Sequence, residues 1–481
     1  MLHTQQVADA LEAQRERLAG YQDAHQQRLE VFRRALAGLA ARYPSTGALR
    51  AALAQRASAG AEGAPPPAGA YPTIEWDAWV ARGTQVSAHV AARPRLPVLR
   101  FGQTFAHHGE ARAWAERLAG VTTFAVDGSQ IPPWRDASIP VALVQVALFE
   151  NPHQPPAPYV KDVAAELLAP DDLIPRVPDT ADARTGQVLT YSTQLVHLRR
   201  FELEARTVIE RMRYHARRRE QGEADARGLV VAFYDGSLIV SFALALAREQ
   251  RERYVAASRQ MLAASTETRI PLVGYIDTSY ARDVVTLLSA LGGGDGERGG
   301  RGGRGGFAED AEKESSEQLQ RAQKAQTRNL GRDAEGGGGS AGTGTRGVHD
   351  ALLWHGALEW GDRTPAFVSA RGDLAQLGYE MQAEDVAFVY FQAATDRPPA
   401  RIELPRWVVD DGQLDAVMDV VRAETIAGTG YPYLIETADA AAVITAADRA
   451  QFYALFQQFA EHTGIGFSFS RKALSKSRRR V

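Results

Sequence analysis

Two apolar runs in this chain each end in the same three residues. VTTFAV (121–126) leads into Asp127-Gly128-Ser129, and VVAFY (230–234) leads into Asp235-Gly236-Ser237. β-Branched and aromatic residues of this kind favour strands. The runs are apolar enough to be central strands rather than hairpin arms. Aspartate is poor in a strand interior and costly in a core unless paired, so each strand is expected to stop at its aspartate and turn. Asp-Gly is also an ordinary turn dipeptide. The repetition after two buried strands is what singles these turns out.

Further strands are expected at VALVQVALF (141–149), IPLVGYID (270–277), VAFVYFQAA (386–394) and ARIELPRWVV (400–409). Helical segments lie between them, at about 186–220, after Ser237 to about 264, at DGQLDAVMDVVRAETIAG and from near Ala446. This alternation indicates an α/β fold with a mixed central sheet flanked by helices. Ahead of it, Leu18, Tyr21, His25, Leu29, Phe32, Leu36 and Leu39 recur at steps of three and four. They mark a long helix reaching about residue 42, with an apolar stripe for packing or dimerisation. The proline- and glycine-rich stretch around 61–72 breaks helix.

The expected organisation is an N-terminal helical region (1–60), an α/β domain in two stretches (73–291 and 348–470), a flexible insertion (292–347) and a basic tail (471–481). The insertion has two glycine-rich blocks around a charged segment, a composition without the apolar residues for a core. A plain linker is the expectation for its Arg-Gly blocks, with nucleic-acid contact as the alternative.

Of the 481 residues 45% are hydrophobic and none is cysteine. Disulfides, thiolate nucleophiles, zinc-thiolate sites and iron–sulfur clusters are thereby excluded. The net charge of −3 disfavours a protein that coats nucleic acid, but not one with a local basic groove. No signal-peptide core and no stretch of roughly 18 uncharged apolar residues is present, so a cytoplasmic location without membrane attachment is expected.

The chemistry follows from the two aspartates. At strand ends on neighbouring strands, Asp127 and Asp235 would bring two carboxylates within reach of one cation. Gly128 and Gly236 would let the backbone turn closely, and Ser129 and Ser237 could each hold a carboxylate by a hydrogen bond. Hard oxygen donors select magnesium or manganese. A third carboxylate is expected for a two-metal site, and RRFELEARTVIERM offers Glu202 and Glu204, with Glu210 further on. Both Glu202 and Glu204 flank the apolar face made by Phe201, Ala205, Val208 and Met212.

As a whole the pattern resembles the NurA nuclease family. The likeness runs from AVDGSQIPP through RRFELEA, VVAFYDGSL and GYIDTSYA to RIELPRWV and GTGYPYLIETADAAAVI, and ends with Ser470-Arg471-Lys472. It implies an RNase H-like core and a homodimer around a channel. It also implies a manganese-dependent deoxyribonuclease, a 5′–3′ exonuclease and single-strand endonuclease. Such an enzyme acts on single strands and duplex ends, and works with a HerA-type hexameric ATPase in DNA end resection and double-strand break repair. By that likeness Asp127, Asp235 and Glu202 bind metal, with Glu204 the near alternative.

Two departures stand out. Where archaeal relatives carry a histidine in an Ala-His pair, this chain has Ala438-Asp439, so Asp439 is expected to take that ligand place. Where relatives often have lysine, this chain has Asp277, either a further ligand or partner of the site or a cap of the following helix. Tyr431 and Tyr433 could stack on bases or pack against the sheet. Arg200, Arg401, Arg406 and Arg449 are unranked candidates for phosphate contact. The alternative function is a non-catalytic RNase H-like scaffold that steers DNA to a translocase. A small-substrate phosphatase with a closed pocket is a third reading.

Overall fold

The structure, a computed structural model, describes residues 3–59, 69–86, 96–134, 136–154, 156–174, 191–223, 228–292, 347–371 and 385–468. The Gly-rich insertion and the basic tail lie outside them, apart from residues 292 and 347 at the edges of the insertion.

Helices α1 (Thr4–Glu12), α2 (Arg15–Arg42) and α3 (Thr46–Ala59) open the chain, followed by β1 (Gly69–Pro72), α4 (Ile74–Val86) and α5 (His108–Ala115). A meander of β2 (Thr122–Ile131), β3 (Ala142–Asn151) and β4 (Val160–Leu168) comes next. Then α6 (Thr193–Glu220) crosses to β5 (Val230–Asp235), and α7 (Arg248–Thr268) to β6 (Leu272–Ile276). After α8 (Asp283–Ala290) and α9 (Asp350–Trp354) come β7 (Phe367–Ala370), β8 (Val386–Phe391) and β9 (Ala400–Pro405). The last helices are α10 (Arg406–Asp410), α11 (Leu414–Ala427), α12 (Tyr433–Ala442) and α13 (Ala446–Thr463).

Among the described residues the strands form one nine-stranded sheet in the order β1-β7-β8-β9-β6-β5-β2-β3-β4. β5 runs parallel to β2 and β6 parallel to β5, while the other pairings are antiparallel. The β4-β3-β2-β5-β6 portion, an antiparallel meander continued by two parallel strands, is an RNase H-like core. Among the described residues no helix is long and apolar enough to cross a membrane.

The continuous apolar runs are explained by cores on both faces of the sheet. Phe124 and Val126 of β2 pack with Phe201, Val208 and Met212 of α6. Ala125, between them, joins Phe233, Tyr275, Val417 and Leu434 in a second core on the opposite face. Each fully buried Val, Leu or Phe contributes roughly 1.5–3 kcal/mol. A one-residue slip of β2 would exchange the two sets, so these cores also decide on which face Asp127 stands.

The stripe on α2 divides. Leu29, Phe32, Leu36 and Leu39 are buried with Val284, Trp354, Phe367 and Phe388, whereas Leu18 and Tyr21 are exposed. α2 and α3 thus share a core with the far end of the sheet.

β4 has no counterpart among the strands expected from the sequence. VKDVAAELL carries Lys161, Asp162 and Glu166 and is mostly exposed. Charge of this kind suits an edge strand, where it discourages pairing with another chain.

Candidate metal-binding site

The first Asp-Gly-Ser is not a strand end. β2 continues to Ile131, and Asp127, Gly128 and Ser129 pair with Ala147, Val146 and Gln145 of β3. What ends at this point is the pairing with β5, whose last rung is Val126 with Tyr234. The next residue on each strand is therefore an aspartate, Asp127 on β2 and Asp235 on β5. Parallel strands lie about 4.8 Å apart, so the register alone makes these two residues neighbours. The second motif does turn, with Gly236 at φ 129°. That conformation is open to glycine and strained for other residues.

Side chains alternate across a sheet. Val126 and Tyr234 face α6, so Asp127 and Asp235 set out toward the opposite face, which α12 covers. There Asp127 and Asp439 of α12 share a hydrogen bond, and Tyr431 Oη donates to Asp235 Oδ1 at 2.9 Å. From the α6 side Glu204 reaches the same place. It is 4% exposed, accepts from Tyr234 Oη at 3.1 Å and lies 3.3 Å from Arg200 Nε. Glu204 is thus the floor of the group, Asp127 its half-buried middle, and Asp235 and Asp439 its open mouth.

The acids disturb one another. Burial raises the Asp127 carboxyl to about 6, opposed by the Gly128 amide and aided by the bond to Asp439 and the charges of Asp235 and Asp439. Burial likewise pushes Glu204 up to about 7, against Arg200 and with the charges of Asp127 and Asp235. Asp235 is also raised, first by the protein packed around it, then by Asp439 and Asp277, while the Tyr431 hydroxyl works the other way.

The structure separates the two glutamates. Arg253 holds Glu202 through two hydrogen bonds of 2.7 Å, and Arg199 adds a third at 3.0 Å. Burial notwithstanding, these arginines keep its carboxyl below the usual range. Nothing in these partners brings Glu202 to the aspartates. The helical phase explains the difference: Glu204 turns inward among Phe201 and Val208, and Glu202 looks toward α7.

The serines take other work. Ser237 Oγ bonds to Glu403 Oε2 at 2.8 Å and to the Ile239 carbonyl at 2.9 Å, not to Asp235. Ser129 lies two residues beyond Asp127 on the same face of β2. Asp277 stands just past β6, 3.7 Å from Arg397, and influences Asp235 by charge alone. It caps no helix, since α8 begins only after Arg282. Tyr433 starts α12 with its ring edge-on to Phe149, so it packs on the sheet while remaining partly exposed.

Two buried glutamates that the sequence did not single out hold the elements carrying these acids. Glu403 of β9 accepts the Leu238 amide at 2.8 Å just beyond Asp235. Glu424 of α11 accepts Thr123 Oγ1 of β2 at 2.9 Å and the Leu434 amide at the start of α12 at 3.3 Å. Their motifs, RIELP and AETIAG, carried no local signal beyond an acid in an apolar run. Arg401 is 2% exposed and paired with buried acids, which removes it from the candidates for phosphate contact.

Residues 121–444 match the family model of the NurA domain. This chain belongs to the NurA family. Among solved structures, this NurA chain is similar to the NurA nuclease from Sulfolobus solfataricus, at 10% identity over 71% of this chain and 85% of that one, with a TM-score of 0.38. It is also similar to a NurA with manganese (11% identity, 70% and 89% covered, TM-score 0.31) and to a NurA bound to dAMP and manganese (12%, 68% and 85%, TM-score 0.27). No curated protein matches it.

The donors of the NurA site fit a hard divalent ion: every candidate atom is a carboxylate oxygen. Glu204 Oε1 is buried and accepts no hydrogen bond, with the Arg200 guanidinium its ion-pair neighbour at 3.3 Å. Among the described residues no three acidic or histidine side chains have the spacing of a formed metal site. The acids form a neighbourhood in which each feels the charge of the others.

Proposed function

We propose that this NurA protein is a divalent-metal-dependent deoxyribonuclease whose ligands are Asp127, Asp235, Glu204 and Asp439, with Glu202 outside the set. The observation that carries the reading is the rung after Val126 and Tyr234, which sets Asp127 beside Asp235. Glu204 and Asp439 approach that rung from opposite faces of the sheet. Manganese or magnesium is the ion class such oxygen donors select, and two ions suit four carboxylates. DNA as substrate, with digestion in the 5′–3′ sense and at single strands, is what the family likeness implies. The homodimer, the HerA-type ATPase partner and the role in end resection and break repair rest on that likeness alone.

When bound, paired divalent ions supply an activated water and charge for the leaving oxygen of a phosphodiester. The chain's own part is to place the carboxylates. Tyr431 holds the Asp235 carboxylate by its hydroxyl, α12 delivers Asp439 over β2, and Tyr234 fixes one oxygen of Glu204. The open mouth at Asp235 and Asp439 suits a polymer better than a small enclosed substrate.

The test is incubation of the full-length protein with a labelled single-stranded oligonucleotide. Shortened products are expected with manganese and none with EDTA. An oligonucleotide bound but uncut in manganese would favour the DNA-steering scaffold instead.

Two smaller outcomes follow. Tyr431→Phe removes the donor to Asp235 and should slow cleavage on the order of 10-fold, since partners that orient metal ligands typically contribute 10–100-fold. Wild-type kinetics in that variant would show the hydroxyl to be idle. Manganese affinity should rise from pH 5.5 to 7.5, because protons on Asp127 (about 6) and Glu204 (about 7) compete with the ion. The sign is fixed: both groups are raised, so their protonated forms favour the native fold at low pH, and that contribution is lost as pH rises through 6–7. Thermal stabilisation by manganese should therefore be larger at pH 7.5 than at 5.5, and a flat profile would contradict the assignment.

A further inference from the structure

We propose that Arg200 is a positioning residue, which clamps α6 to β2 at Gly128 and thereby holds Glu204 against the two aspartates. The inference rests on the metal-site reading above and adds a residue to it. Arg200 and Glu204 are one turn apart on α6, with Nε 3.3 Å from Glu204 Oε1. The same guanidinium donates from Nη1 to the Gly128 carbonyl of β2 at 2.9 Å. One side chain thus bonds the strand that carries Asp127 and pairs with Glu204.

Gly128 makes this approach possible. It lies in regular β2, paired with Val146, and its backbone is outside the left-handed region. Conformation therefore does not demand glycine there, but space does. A Cβ at 128 would stand 2.8 Å from Arg200 Cγ and nearer still to Glu204 Oε1. The absent side chain is a gap in the sheet surface through which α6 delivers both residues. Tyr234 Oη holds the other Glu204 oxygen at 3.1 Å, so the carboxylate is fixed from the strand next door as well.

Charge and geometry act in opposite directions here. A cation beside a divalent site repels the ion, so deleting a cation that only repels would tighten metal binding. Deleting a clamp would weaken it. Lysine preserves the charge but has no fork to serve two elements at once.

The experiment is manganese titration of the full-length protein without DNA, by calorimetry or by electron paramagnetic resonance of the free ion. Melting temperatures in EDTA are recorded alongside. Arg200→Gln should raise the manganese Kd about 10-fold or more in a protein that still melts cooperatively in EDTA, and Arg200→Lys should recover little of it. Gly128→Ala should weaken binding similarly with Arg200 still present. Equal or tighter binding by Arg200→Gln, or full recovery by Arg200→Lys, would overturn the clamp, and neither result depends on whether Gly128→Ala folds. Failure of the wild-type protein to bind manganese would instead bring down the metal-site reading itself, and the clamp with it.

Discussion

Asp127→Asn and Asp235→Asn, each alone, should lower DNA cleavage by about 10³-fold or more while leaving the protein folded. Stabilisation of attacking and leaving oxygens by bound metal is a matter of several kcal/mol, and each 1.4 kcal/mol is a factor of ten. The amide keeps the shape of the side chain and removes the charge that a cation requires. It also removes a repulsion: Asp127 already carries a raised carboxyl because it is buried beside Asp439 and Asp235. The melting temperature in EDTA should therefore hold or rise slightly, and the gain on adding manganese should shrink. Cleavage assays and thermal melts on the same preparations separate the effects. Full activity in either variant would remove the aspartate it replaces from the chemistry.

The largest effect on stability is expected at Arg401. Its guanidinium is 2% exposed and bonds Glu403 at 2.8 Å and Asp283 at 3.1 Å, both themselves buried. It also lies 3.7 Å from the centre of the Phe388 ring. Arg401→Ala leaves two carboxylates in the core without their cation. Breaking a buried pair in this way costs about 3–5 kcal/mol, a fall in melting temperature on the order of 10 °C. A fall below 2 °C would mean that the network is not charged as described. Replacing Arg401, Asp283 and Glu403 together by apolar residues should recover much of the loss, because a buried ion pair and a packed apolar core are often of similar stability. Cleavage should not recover with it. Glu403 also anchors Leu238 and Ser237 behind Asp235, and that anchor is gone in the triple variant.

The strands around both Asp-Gly-Ser motifs, the long α6 and the apolar half of α2 are visible because each buries a periodic or continuous apolar set. β4 was invisible because an exposed edge strand buries too little to need one. β2 does not halt at Asp127 as expected, for a related reason. Aspartate is disfavoured inside a strand, but β3 continues to pair there while β5 has already turned away. Glu202 and Glu204 looked equivalent because both flank the apolar stripe of α6. What distinguishes them is Arg253, 51 residues further along the chain, which binds Glu202, and Tyr234, which binds Glu204.

The α/β class, the strand–aspartate repetition and the family are legible from residue type and short-range spacing. Which carboxylates meet is a property of the folded chain. Asp127 and Asp235 become neighbours through the register of β2 and β5, Asp439 joins them because α12 lies over β2, and Glu204 because Gly128 leaves room for it. Register and helix placement are set by packing among residues hundreds of positions apart, and no local pattern encodes that sum.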